Sequence, residues 1–309
     1  MSNKPSVLYR DYSDGKIAFL SDIHIHLPEF ASAPEKYVKA PFGNGIESAE
    51  KMHDLVQWYL DQGYRVVLNG DILDTLSTNG INNLLNNGGG PYLDEFLNII
   101  GDLKDWISRG DVVYVLGNHD DPELLDRLGI QYTDVLNLRT SQGELTVIHG
   151  HEFHDIQKAV GLGQDGPVTL MARKGNRAFQ VLARIYGLLT LILERPFRES
   201  ARNDVLKKTA EHYGNSIIGH IHGRGKIYRS DAGTVYSIPK TFDGDSGRES
   251  IRVLEITETG PRYVELDHSE SGFAYRKIIP VFNPCVKEAR GDPSQMAPVV
   301  SLRQYGTCP

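Results

Sequence analysis

The sequence has few of the features that mark secreted, membrane-embedded or nucleic-acid-binding proteins. Only 2 cysteines occur among 309 residues, too few for a disulfide framework, which leaves room for at most one bridge. Acidic residues (40) outnumber lysine and arginine (33), and a formal net charge of −7 gives no general electrostatic footprint for nucleic acid. The first residues contain no apolar signal segment, and no uncharged apolar run has membrane-spanning length. We therefore expect a cytoplasmic protein, with nucleic acid not favoured as a partner.

What the sequence does contain is a regular alternation of strand-like and helix-like segments. Hydrophobic residues make up 40% of the chain and charged residues 24%, which is typical of a globular protein. Apolar residues recur at helical spacing over 52–60 and 93–107, between short runs rich in Val, Ile and Leu. Strands that alternate with helices in this way predict an α/β fold built from βαβ units.

Five of the β-prone runs are followed at once by side chains that can bind metals. The segments are IAFLSDIHIH (17–26), RVVLNGDILD (65–74), VVYVLGNHDD (112–121), LTVIHGHEFH (145–154) and SIIGHIH (216–222). Residues two apart in an extended segment point to the same side, so His220 and His222 can face one spot. Because ligands in open α/β sheets collect at the carboxyl ends of the strands, the five ends predict a single site.

The residue types at these strand ends indicate the chemistry. Imidazole, carboxylate and amide groups without cysteine suit Mn, Fe, Zn or Co ions, and their number is sufficient for two ions. Two ions about 3.5–4 Å apart with a bridging carboxylate can clamp an in-line phosphoryl displacement and lower the pKa of bound water toward about 7. The sequence therefore favours a dinuclear centre, with manganese as the first candidate.

The order D-x-H, G-D-x-x-D, G-N-H-D, H-G, G-H-x-H, from about residue 17 to residue 222, resembles the calcineurin-like metallophosphoesterase superfamily. The resemblance implies a β-sandwich flanked by helices. It also implies two metal ions with these ligands: Asp22, His24 and His222 for one ion, Asn118, His149 and His220 for the other, and Asp71 as the bridge. His119 is implied as the residue that stabilises charge or protonates the leaving group, and Asp74 as the acid that pairs with it.

Several neighbouring residues leave alternatives open. His151 can replace His149 as a ligand, but His149 is favoured because it directly follows its strand. An aspartate such as Asp74 is also a favoured helix N-cap. Asp120 and Asp121 precede a proline and are expected to cap or turn, with Asp121 the better N-cap. His26 is a substrate contact or a loop residue, and the motifs give His154 no role.

Residues 155–212 interrupt the pattern with an expected helical insert. Residues 178–193 are apolar nearly all round and have basic flanks, which predicts either a core helix or a lid that receives acyl chains or touches a membrane. Arg173, Arg177 and Arg184 are the candidate phosphate-binding residues of this insert. A helical insert at this point also resembles the UDP-2,3-diacylglucosamine pyrophosphatases, although their best-known members have arginine where this chain has His119.

These observations predict a catalytic domain over 1–275 and a tail over 276–309 that wraps the domain or stays mobile. The predicted function is hydrolysis of a phosphoanhydride or phosphodiester, with a lipid-linked, UDP-2,3-diacylglucosamine-like substrate and peripheral membrane contact as the finer expectation. A nuclease or cyclic-nucleotide phosphodiesterase is the nearest rival. A non-catalytic scaffold on the same fold is less favoured, because such scaffolds resemble the motif with ligands missing, and here none is missing.

Overall fold

The structure is a computed structural model that describes residues 6–25, 45–73, 91–153, 195–221, 225–243, 250–269 and 272–281. These residues form thirteen strands, four α-helices and one 3-10 turn. In chain order the elements are β1 (Val7–Tyr12), β2 (Lys16–Leu20), α1 (Gly45–Asp61), β3 (Tyr64–Asn69), α2 (Pro91–Ser108), β4 (Val112–Val115), α3 (Pro122–Leu128), β5 (Val135–Thr140), β6 (Gly143–Ile148), the 3-10 turn (His151–Phe153), α4 (Arg195–Tyr213), β7 (Ser216–Ile218), β8 (Lys226–Ser230), β9 (Gly233–Ser237), β10 (Phe242–Asp243), β11 (Ser250–Thr257), β12 (Gly260–Ser269) and β13 (Gly272–Pro280).

The strands form two sheets. The first has the order β1-β5-β6-β7-β9-β8, and the second has the order β13-β12-β11-β2-β3-β4, with β10 paired to β11. Strands β2, β3 and β4 run parallel, as do β6, β7 and β9. The carboxyl ends of the strands within each parallel set therefore meet at one edge of their sheet.

The two sheets pack face to face. Alternate residues of β2 divide between two cores, because successive side chains of a strand point to opposite faces. Ile17 and Phe19 enter a buried cluster between the sheets, which they share with Leu136 and Val147 of the first sheet. This cluster joins the sheets into the predicted sandwich.

Helices cover the outer faces. Ala18 and Leu20 point away from the sandwich interior and pack in the cluster that contains residues of α1, α2 and α3. On the other side, Val205 and Leu206 of α4 pack against residues of β6, β7 and β9. The resulting layers confirm the predicted fold class of a β-sandwich flanked by helices.

The predicted helical patterns at 52–60 and 93–107 lie in α1 and α2, and β11 and β12 form an antiparallel hairpin in the C-terminal part. The sequence did not predict β1 and β5, because neither has the long apolar run followed by potential ligands that marks the other strands. These two strands pair in parallel although more than a hundred residues separate them.

The predicted boundary at 275/276 stays a prediction, but pairing of β13 with β12 continues to Pro280. The helix α4, Arg195–Tyr213, covers the last part of the predicted insert and ends just before β7, while the insert itself stays a prediction. Residues 154–194, including the apolar stretch at 178–193, lie outside the described residues. None of the helices in the described ranges is long and apolar enough to span a membrane.

Candidate metal centre

Five strand ends place the predicted ligands at one edge of the sandwich. Asp22 and His24 follow β2, Asp71 follows β3, Asn118 and His119 follow β4, His149 follows β6 and His220 follows β7. Main-chain hydrogen bonds hold the first two loops side by side. Asp22 N donates to Gly70 O at 3.1 Å, and His24 N donates to Asp71 O at 2.9 Å.

The side chains form two clusters that share one carboxylate. In the first cluster, His24, Asp71 and His119 offer ligand atoms that all lie within 4.8 Å of one another. In the second, Asp71, His149 and His220 do the same. Asp71 is buried, and it belongs to both clusters. This is the arrangement that a bridging carboxylate requires.

The tautomer of His149 follows from its main-chain contact. His149 Nδ1 lies 2.9 Å from Asn69 O, and a carbonyl oxygen can only accept, so Nδ1 carries the hydrogen. Nε2 then points at Asp71 Oδ2, 3.1 Å away. If His149 is neutral, both of these atoms carry lone pairs, and the contact is favourable only when a cation lies between or beside them.

The electrostatics of this pair agree with that requirement. Burial lowers the pKa of His149, but the negative charge of Asp71 outweighs it and raises that pKa to about 10. Burial likewise opposes ionisation of Asp71, yet the charge of His149 holds the pKa of Asp71 well below its ordinary value. The pair therefore attracts a positive charge strongly, whether that charge is a proton or a metal ion.

Backbone strain concentrates at the same residues. Across the described ranges, four non-glycine residues have positive φ, and all four are predicted ligands: Asp22 (55°), His24 (53°), Asp71 (54°) and His220 (57°). Aspartate and histidine tolerate this left-handed region better than most residues, but it still costs on the order of 1–3 kcal/mol at each position. Such strain persists only where surrounding contacts fix it, and it is typical of functional sites.

Two glycines allow the strand ends to approach closely. A Cβ at Gly117 would collide with the main chain and carboxylate of Asp71. A Cβ at Gly219 would collide with Ser21 Oγ and lie 2.9 Å from Asn69 O and 3.0 Å from His149 Nδ1. The glycines in the G-N-H-D and G-H-x-H motifs are therefore required by space.

Asp120 has a role that the sequence did not reveal. It was expected to cap or turn, but its carboxylate is only 4% exposed and accepts five hydrogen bonds. The donors are Asp71 N (2.9 Å), Ile72 N (3.1 Å), Leu73 N (3.0 Å), Tyr114 Oη (2.8 Å) and Gly117 N (2.8 Å).

We refer to Asp120 and its five donors as the carboxylate clip, because it joins the loop after β3 to the loop after β4. Burial and the charge of Asp71 raise the pKa of Asp120 to about 6, so the group is ionised at neutral pH. The next residue, Asp121, is the predicted N-cap: its carboxylate accepts from Glu123 N at 3.0 Å, with Pro122 at the start of α3. Only the second aspartate of the pair caps the helix.

A second set of polar contacts orients Asp22. Ser21 Oγ lies 2.5 Å from Asp22 Oδ2 and 2.8 Å from Asn69 O, and Thr241 Oγ1 accepts from Ser21 N at 2.9 Å. Thr241 is 220 positions away in the chain. No sequence signal connects Thr241 to the site, whereas Ser21 and Asn69 adjoin the motifs.

His119 and Asn118 lie in the loop after β4, beside Asp71. His119 N donates to Asp71 Oδ1 at 2.8 Å, and its ring stands edge-on to that of His24 with centroids 4.9 Å apart. Asn118 Oδ1 is buried and has no hydrogen-bond donor among the described residues. Its oxygen is therefore available as a ligand.

His151 stands beside the second cluster without belonging to it. Its ring centroid is 5.8 Å from that of His149 and 6.3 Å from that of His220. Burial, together with the neighbouring His149, lowers the pKa of His151 to about 4. This ring is therefore neutral at physiological pH.

Seven residues named from the sequence lie outside the described residues: His26, Asp74, His154, Arg173, Arg177, Arg184 and His222. Of the other predicted ligands, His24, Asp71, His149 and His220 have ligand atoms in the two clusters, together with His119. The ligand atoms that face one another are carboxylate oxygens and imidazole nitrogens, and Asn118 has a buried amide oxygen in the adjoining loop; Mn, Fe, Zn and Co accept such ligands. Together with the contact between Asp71 and His149, they fit divalent metal ions.

Comparison with known proteins gives a direct result. The sequence profile of the calcineurin-like phosphoesterase family matches residues 15–224. No curated protein sequence gives a significant match.

Solved structures that match this chain include a dimetal phosphatase from Danio rerio (15% identity, covering 81% of this chain and 95% of that chain, TM-score 0.39). They also include an archaeal phosphodiesterase (12% identity, 81% and 99%, TM-score 0.36) and Vps29 from Chaetomium thermophilum (10% identity, 87% and 100%, TM-score 0.33). At these values the likenesses transfer no activity to this chain.

The family profile is decisive where the structural likenesses are not. It spans more than half of the 309 residues and contains all five strand ends that carry the predicted ligands. The chain therefore belongs to the calcineurin-like phosphoesterase family.

Proposed function

We propose that the protein is a dinuclear metal-dependent phosphoesterase. Calcineurin-like phosphoesterases are phosphoester hydrolases that use two divalent metal ions. The observation that carries the proposal is the presence of Asp71 in both clusters of facing ligand atoms. A buried carboxylate shared between two sets of imidazoles is costly unless cations neutralise it, and two cations fit the two sets.

We propose the following ligands for the two ions: Asp22, His24 and His222 for one, Asn118, His149 and His220 for the other, with Asp71 between them. Manganese is the first candidate, and Fe, Zn and Co suit the same donors. His119 also lies within the first cluster, so its assignment as a catalytic residue needs a test that separates it from a ligand.

The two cations, when bound, supply Lewis acidity and the means to form hydroxide from water at neutral pH. The residues of the chain orient the ligands and supply the proton. Asn69 O fixes the tautomer of His149, and the carboxylate clip holds Asp71 in place. We propose that His119, whose side chain is 24% exposed and whose Nε2 lies 3.9 Å from Asp71 Oδ2, donates a proton to the leaving oxygen. We propose Asp74 as the acid that pairs with His119.

For the substrate we propose a phosphoanhydride or phosphodiester. A lipid-linked compound similar to UDP-2,3-diacylglucosamine is the finer candidate. Its support comes from the sequence: an apolar stretch at 178–193 with Arg173, Arg177 and Arg184 in or beside it. Contact of this segment with a membrane surface belongs to the same proposal.

The experiment that tests the function is a hydrolysis panel with Mn, Fe, Zn or Co. The panel contains p-nitrophenyl phosphate monoesters and diesters, UDP-sugars, cyclic nucleotides, single-stranded DNA and UDP-2,3-diacylglucosamine. We expect metal-dependent turnover of at least one phosphoester or anhydride. Turnover of the lipid-linked compound alone would support the finer proposal, and preference for DNA or a cyclic nucleotide would replace it with the rival function. Metal-loaded protein that turns over nothing would support a scaffold.

Two variants separate the proposed roles. His119→Ala should keep its metal content, measured by elemental analysis, and lose most turnover. Asp71→Asn should lose at least one ion. His268→Ala, a change on β12 where His268 stacks on Phe273, is the matched control and should alter neither quantity. Loss of metal in His119→Ala would make His119 a ligand and remove it as the acid.

A further inference from the structure

His151 has a position that the two ligand sets do not explain. It follows Gly150 at the start of the 3-10 turn, two residues after His149. Its ring lies 5.8 Å from that of His149 and 6.3 Å from that of His220, so it adjoins the second cluster. His119, by contrast, is a member of the first cluster, with its ring 4.9 Å from that of His24. His151 is therefore a histidine beside the second cluster that belongs to neither group of ligand atoms.

The two nitrogens of His151 have different surroundings. Nδ1 is buried and has no hydrogen-bond partner in the described part of the chain, and the nearest carboxylate oxygen, on Glu152, is 3.9 Å away. Nε2 is not among the buried atoms, and the side chain as a whole is 24% exposed. The buried part of the ring therefore includes Nδ1, and Nε2 is the nitrogen that remains accessible.

This arrangement selects a tautomer. A buried N–H without an acceptor is costly, so a ring with an unpartnered Nδ1 is better off with its single hydrogen on Nε2. An Nε2–H beside a cluster of cation ligands is a donor within reach of an anion that binds at that cluster. Hydrogen bonds from a fixed donor to a charged oxygen are among the stronger ones in proteins.

We propose that His151 is a substrate-binding residue whose Nε2–H donates to a phosphate oxygen beside the cluster of Asp71, His149 and His220. The inference rests on the proposed phosphoesterase function, because the phosphate is the substrate of that function. It gives the site two histidines with separate tasks: His119 acts on the leaving oxygen, and His151 holds an oxygen that stays on phosphorus.

Two substitutions of similar size test whether Nε2 of His151 is the atom that binds phosphate. In His151→Gln the side-chain amide reaches the position of Nε2, whereas in His151→Asn it reaches only the position of Nδ1. His268→Asn is the matched control for replacement of a histidine remote from the site. Each Mn-loaded protein is checked for metal content, its affinity for inorganic phosphate is measured by calorimetry, and its kcat/KM is measured with a p-nitrophenyl phosphodiester.

We expect full metal content in all variants. In His151→Asn, phosphate affinity and kcat/KM should fall by about 10- to 100-fold, the usual effect of losing a hydrogen bond to a charged group. His151→Gln should retain most of both, and His268→Asn should match the wild type. Wild-type phosphate affinity in His151→Asn would overturn the inference, as would equal losses in the Gln and Asn variants or loss of metal in both.

The two proposals fail in distinguishable ways. If no phosphoester is hydrolysed by the wild type but phosphate binding still distinguishes Gln from Asn at position 151, the binding role holds and the enzymatic function fails. If the wild type is active and His151→Asn is equally active with unchanged phosphate affinity, the function holds and the role of His151 fails.

Discussion

Replacing Asp120 with asparagine should destabilise the protein far more than the same change at Asp121. Asp120 accepts hydrogen bonds with one oxygen from Ile72 N, Leu73 N and Tyr114 Oη, and with the other from Asp71 N and Gly117 N. An asparagine has one carbonyl oxygen, so it cannot accept on both sides. In its better orientation the amide group faces Asp71 N and Gly117 N, and two buried donors lose their acceptor.

The magnitude follows from those two donors. A buried donor left without an acceptor costs about 1–3 kcal/mol, so Asp120→Asn should cost about 2–6 kcal/mol of unfolding free energy. That is a large fraction of the roughly 5–15 kcal/mol by which proteins are stable. Since larger domains lose about 2–4 °C in Tm per kcal/mol, the expected fall is about 4 °C or more.

Differential scanning calorimetry of both variants provides the assay, in excess Mn and again after chelation. Asp121→Asn should change Tm little, because asparagine is as good an N-cap as aspartate. Tyr114→Phe removes one donor from the clip and should cost about 1 kcal/mol. Equal melting temperatures for Asp120→Asn and Asp121→Asn would refute the inference that the carboxylate clip stabilises the loops after β3 and β4.

Three further predictions follow from other contacts. Gly219→Ala should weaken metal binding and cost about 1–3 kcal/mol in urea unfolding, because its Cβ overlaps the site. Gly101 lies on α2, and a Cβ there would have no atom within 4 Å, so Gly101→Ala should instead stabilise the protein by up to about 1 kcal/mol. Similar losses of stability in both variants would contradict the steric account. A hydrogen bond to Glu95, burial and the charge of Glu95 raise the pKa of Glu50 from 4.5 to about 7. The contribution of Glu50 and Glu95 to the stability of the fold is therefore greatest below pH 4.5 and is lost as the pH rises through 7. Glu50→Gln should match the wild type at pH 4.5 and exceed it at pH 8 by up to about 1 kcal/mol, since solvent screens the pair; an equal difference at both pH values would contradict this. Chelation should lower the Tm of the wild type more than that of Asp71→Asn. The wild type binds more ions, and an ion stabilises the folded state only while it is bound.

The strand ends were predictable because their signal is local. A short apolar run and the ligands after it lie within about ten residues, and the parallel strands bring the runs to one edge of the sheet. The fold class followed from the same runs and from the helical periodicity of α1 and α2. Where the pattern was weak, as in β1 and β5, pairing across more than a hundred residues supplied the strand.

The polar contacts around the site were not predictable, because their partners are remote in sequence. Asp120 reaches the loop after β3, 47 to 49 residues earlier, and this depends on the pairing of β3 with β4. Thr241 meets Ser21 only once β11 has paired with β2. The left-handed backbone at Asp22 and Asp71 is likewise a product of tertiary contacts, since the sequence only shows residue types that tolerate it.

Anomalous diffraction from crystals grown in manganese tests the central claim most directly. The account predicts two manganese peaks about 3.5–4 Å apart, with the Asp71 carboxylate between them. One peak belongs with Asp22 and His24, and the other with Asn118, His149 and His220. A single peak, or peaks that leave Asp71 without a metal neighbour, would contradict a dinuclear centre built on these strand ends.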